Sequence, residues 1–105
     1  MTPDPPPADD DTADLDESLE AIHEHLAATQ ELPVERTPSR WIGEAEAVAA
    51  DLATADLDAP VVRERLGHVR SLLSEVETTG DDAADDHLSR ARSVTETAID
   101  RLDGD

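Results

Sequence analysis

Residues 58–80 read DAPVVRERLGHVRSLLSEVETTG. Within them Val62, Leu66, Val69, Leu73 and Val76 recur at steps of 4, 3, 4 and 3. That spacing lines one face of a helix and cannot line one face of a strand, whose side chains alternate every second residue. The stretch carries its own punctuation. Asp58, Ala59 and Pro60 read as a helix start, where proline has no N–H to lose, and Gly80 can take the left-handed conformation that follows a helix. Val61 and Leu72 add a second apolar edge to the stripe.

The same period appears on both sides of this segment. Upstream, Leu15, Leu19, Ile22 and Leu26 step by 4, 3, 4, and Trp41, Ala45, Val48, Leu52 and Ala55 step by 4, 3, 4, 3. Downstream, Ala84, Leu88, Ala91, Thr95, Ala98 and Leu102 continue it, with Val94 and Ile99 widening the stripe. Asp14 with Glu17 reads as a capping box, Thr37 with Pro38 as a cap and first helical residue, and Asp81 or Asp82 as the cap of the last helix. Pro33 stops the first. Helices are thus expected near 15–31, 38–55, 59–77 and 82–102, each about 25 to 30 Å long at about 1.5 Å per residue.

Similar lengths and short links favour antiparallel neighbours. The expected fold is all-α: an antiparallel four-helix bundle over residues 14–105, preceded by a disordered acidic Pro-rich tail, residues 1–13. The runner-up is a three-helix unit of helices two to four, with the first helix packing on a second copy. Helix two offers mostly Ala to its stripe, so the core is thin, and helix three is expected at its centre.

Composition narrows the setting. The chain has 105 residues, 27 Asp plus Glu against 8 basic residues, and a formal charge of -19. All 8 basic residues are Arg, and Cys is absent, which removes disulfides, thiolate nucleophiles and Cys-based metal sites. No run of apolar residues is long enough for a membrane span, and the start has neither the basic nor the apolar part of a signal peptide. The expected location is the cytoplasm. A charge this large opposes compaction in dilute buffer, whereas near 1 M salt the Debye length of about 3 Å removes most of that penalty.

Excess Asp and Glu, Arg without Lys, abundant Ala and few large apolar side chains together resemble proteins of extremely halophilic archaea. The segments Trp41-Ile42-Gly43-Glu44-Ala45-Glu46, and Gly67-His68-Val69 through Gly80-Asp81-Asp82, also resemble small acidic all-helical haloarchaeal proteins of uncharacterised function. The resemblance implies a salt-adapted archaeal protein and brings no catalytic motif with it.

Candidate chemistry is sparse. His23 and His25 stand two apart, about 200° around a helix, and cannot chelate one ion from it. Glu64 and His68 share a face as a two-ligand half-site, but no His-Glu-x-x-His or repeated Glu-x-x-His spacing supports a metal centre. There is no Gly-rich phosphate loop, no Lys for a Schiff base, and no Ser with His and acid in a readable triad order. Neither catalytic residues nor a cofactor or metal is therefore expected.

What remains points to recognition. Trp41 is the only aromatic residue, beside Arg40; it is either the plug of the bundle end over Leu32 and Val34 or an anchor for a partner, since Trp and Arg dominate interface hot spots. Arg63 and Arg70 lie seven apart on one face of helix three. Arg40, Trp41, Arg63 and Arg70 are the candidate partner-binding residues. The expectation is a non-enzymatic helical interaction protein that contacts itself or a protein partner. The alternative is a nucleic-acid-associated protein, either an Arg-mediated binder, which requires the arginines to cluster, or an acidic mimic of nucleic acid.

Overall fold

A computed structural model describes residues 7–104, with side chains from Leu15 to Gly104. Four helices follow one another: α1 (Pro7–Gln30), α2 (Arg36–Thr54), α3 (Ala59–Ser74) and α4 (Asp82–Asp103). Each packs on two others, α1 on α2 and α4, and α3 on α2 and α4. The ring α1–α2–α3–α4 closes on itself, which makes the chain the all-α, antiparallel four-helix bundle that its stripes predict. The first helix packs within its own chain: Leu19 is 5 % exposed, and Ile22 and Leu26 are fully buried. That arrangement overturns the three-helix runner-up. It also removes helix three from the centre, because in a closed ring of four every helix is a corner.

Three of the four stripes enter the core as spaced. Val62, Leu66, Val69, Leu73 and Val76 are all buried, as are Ala84, Leu88, Ala91, Thr95 and Ala98. Helix α2 is turned from the expected face. Its buried residues are Pro38, Ile42, Ala45, Ala49 and Leu52, while Trp41 and Val48 only flank the core and Ala55 is exposed at the helix end. Both sets step by 4 and 3, and they share Ala45 and Leu52. The face chosen places Ile42 and two alanines inward, so that α2 can approach α1 and α3 closely.

Helix ends show where local signals yield to tertiary contacts. α1 starts at Pro7, upstream of Asp14, so Asp14 lies inside the helix and is not its first cap residue. Residues 1–6 of the expected tail lie outside the described residues. α2 starts at Arg36, with Glu35 and not Thr37 at its cap. The Glu35 N–H donates to the Thr79 carbonyl at 3.0 Å, which fixes the start of the helix two residues earlier. Pro38 still fits, because the first-turn N–H groups have no partner inside the helix. α3 stops at Ser74 where the N–H groups of Glu75 and Val76 turn back to the carbonyls of Leu72 and Leu73, at 3.2 and 3.1 Å. α4 begins as expected: the Asp81 carboxylate accepts from the Ala84 N–H at 3.0 Å. Gly80 has φ +86°.

Candidate functional site

Arg40 and Trp41 occupy the first turns of α2, where the turned stripe leaves them beside the core. Arg40 is exposed and Trp41 is half-buried, packed against the buried apolar core. The Arg40 guanidinium lies 5.9 Å from the indole ring centroid, within the range in which the ring quadrupole attracts a cation. Trp41 is therefore neither a sealed plug nor a free surface residue. It lies at the margin of the core, with the Arg40 guanidinium over its ring.

Arg63 and Arg70 are elsewhere and are already engaged. The Arg63 Nε donates to Asp103 Oδ1 at 2.7 Å, and Arg70 Nη1 to Glu96 Oε1 at 3.4 Å. Both pairs cross the α3–α4 seam. The hydrogen bond from Arg63 holds the Asp103 carboxyl below its ordinary range, and Asp103 in turn raises the guanidinium. Gly67 stands where a Cβ would meet only the Arg63 Nη1, at 3.3 Å. It makes room for this arginine on its own helix and does not mark a helix crossing. Arg92 is engaged as well: its Nη2 donates to the Leu73 carbonyl at 2.6 Å and to the Val76 carbonyl. The Leu73 carbonyl, in the last turn of α3, also accepts from the Val76 N–H at 3.1 Å, and the Val76 carbonyl lies in the segment just past the helix. The nearby recess lined by Arg70, Leu73, Ser74, Arg92, Thr95 and Glu96 holds only about 130 Å³, below the few hundred Å³ of small-molecule sites.

Two constellations had no signature in the sequence. The first joins the α3–α4 loop to α4. Asp85 Oδ1 accepts from the Thr79 N–H at 2.7 Å and lies 2.9 Å from the Thr79 hydroxyl, while Oδ2 accepts from Thr78 at 3.0 Å. These hydrogen bonds, the backbone one first, hold the Asp85 carboxyl below its ordinary value. The second joins α1 to α4. His25 Nδ1 and His87 Nδ1 lie 3.1 Å apart, their ring centroids 5.3 Å apart and the rings tilted by 43°. Burial, then the like charges of His87 and Arg90, keep the His25 imidazole below its ordinary 6.5. His23 reaches the other way, to Glu46 of α2 at 3.5 Å. Glu64 and His68 are exposed on α3, and no group of three or more metal-ligating side chains occurs among the described residues.

A family model described as a domain of unknown function (DUF8152) matches residues 18–105. This span takes in most of α1 and all of α2, α3 and α4, and the chain belongs to that family. No curated protein and no solved structure matches it.

Proposed function

We propose that this member of the DUF8152 family is a non-enzymatic interaction protein of a salt-rich, haloarchaeal cytoplasm. It contacts a second copy or a protein partner through the rim of the bundle at Arg40 and Trp41. The observation that carries the reading is the guanidinium 5.9 Å from the centroid of a half-buried indole, in a chain where Arg63, Arg65, Arg70 and Arg90 face carboxylates of the same chain. In molar salt, charge steering is screened beyond about 3 Å. A contact there rests on apolar area and short-range stacking, and a Trp under an Arg supplies both. The acidic surface then serves solubility in salt, and Arg63 and Arg70 serve the α3–α4 seam.

The test is capture of tagged protein at molar potassium chloride, comparing the wild type with Arg40→Glu and Trp41→Ala variants whose helicity is checked by circular dichroism. A stoichiometric protein, or a second copy of the chain, retained by the wild type and lost from both variants is the expected result. Nucleic acid in the wild-type eluate would replace this reading with the nucleic-acid-associated one. Equal retention by all three proteins would remove Arg40 and Trp41 from the contact.

A further inference from the structure

The contact between His25 and His87 brings two imidazoles from different helices together nitrogen to nitrogen. The rings come from residues 62 apart in sequence, and both are half-buried between α1 and α4. A distance of 3.1 Å between two Nδ1 atoms is a hydrogen bond only if one nitrogen carries a proton and the other keeps its lone pair. The tautomers and the proton number of the two rings therefore decide the sign of the contact. With one Nδ1 proton it is attractive. With an imidazolium on each side, two donors and two like charges face one another inside a helix seam. Two nitrogens are also half of a tetrahedral donor set, but no third ligating side chain completes it among the described residues.

We propose that the His25–His87 contact is a pH-sensitive latch between α1 and α4, closed while the rings share one Nδ1 proton and opened when both are charged. The surroundings leave the decision to the pair. On α1, Glu24 favours the charged form of His25; on α4, Asp86 favours it and Arg90 opposes it. Asp86 and Arg90 are themselves paired at 3.0 Å, so their effects largely cancel. From α2, Glu46 faces His23. The direction of the His25 titration agrees with the geometry. The unfolded chain takes up the proton more readily than the folded one, so the stability this group confers is present above pH 6.5 and is lost as the pH falls below it.

The experiment is carried out on the full chain in molar potassium chloride. Nitrogen-detected NMR of the histidine rings is followed from about pH 8 to about pH 5, the span over which histidines titrate, together with the melting temperature and amide exchange. The latch predicts complementary tautomers for His25 and His87 at the upper end, and two resolved titration steps. It predicts a fall in Tm of about 4 to 8 °C across the range, the size of a single lost contact in a domain this small, with exchange rising first in α1 and α4. His87→Gln should remove most of that fall, whereas His23→Gln should keep it. Identical tautomers, a single step shared with the exposed His68, or an equal fall in Tm for wild type and His87→Gln would each overturn the proposal. The wild-type titration decides the matter even if His87→Gln does not fold.

Discussion

Thr79 is fully buried although it offers the core little apolar surface, and its place is explained by what its small polar groups satisfy. Its carbonyl accepts from Glu35 at the start of α2, its N–H donates to Asp85, and its hydroxyl accepts from the Asp81 N–H at 3.2 Å. One residue thus ties the loop after α3 to the starts of both α2 and α4. Replacing it with Val keeps the shape and deletes the hydroxyl, leaving the Asp81 N–H without that acceptor and Asp85 without one donor. We expect Thr79→Val to cost about 1 to 3 kcal/mol, read from chemical denaturation. Asp85 has its own pH signature. Because its folded carboxyl titrates below the ordinary value of 3.8, the stability it confers is complete above that pH and is lost as the pH falls below it. An acid titration of Asp85→Asn should lack this part of the loss.

At the scale of the helices, amphipathic period was enough to find all four, because each buries one continuous stripe and the stripe is written in the sequence. The choice of face on α2 was not legible. Trp41, Ala45, Val48, Leu52 and Pro38, Ile42, Ala45, Ala49, Leu52 share the same steps, and only the positions of α1 and α3 decide that Ile42 goes in and Trp41 goes to the rim. The end of α3 was not legible either, since the groups that terminate it include a guanidinium 19 residues away. Arg92 donates to the Leu73 and Val76 carbonyls, and removing it leaves them facing a partly buried seam. Arg92→Met, which keeps the stem, should destabilise the fold by about 1.5 to 3 kcal/mol, the range for hydrogen bonds from charged groups. Gly67→Ala tests the opposite sign. A methyl there needs only a small shift of the flexible Arg63 tip, so the gain in helix propensity of up to about 1 kcal/mol should appear as added stability. A glycine needed for helix crossing would instead give a loss.

The whole molecule sets a thin core against a formal charge of -19. Ala45, Ala49, Ala84, Ala91 and Ala98 fill positions that larger side chains take in most bundles, so the larger core residues carry much of the apolar burial. Truncating a fully buried one, such as Leu26→Ala or Leu66→Ala, should cost about 2 to 5 kcal/mol. Self-repulsion is spread over the entire surface and falls with screening. The melting temperature should therefore rise steadily from about 0.1 M to molar potassium chloride, and a flat or falling curve would show that repulsion is not what limits the fold. Function was the least legible level. Charge and composition describe the solvent the surface meets, while the Arg40–Trp41 stack and the His25–His87 contact depend on which residues the bundle brings to its rim and seams. The most direct measurement is the capture of wild type, Arg40→Glu and Trp41→Ala side by side at molar potassium chloride. A stoichiometric protein or second copy that is held by the wild type and released by both variants is the predicted result. Retention that ignores both substitutions would contradict an interaction protein working through this rim.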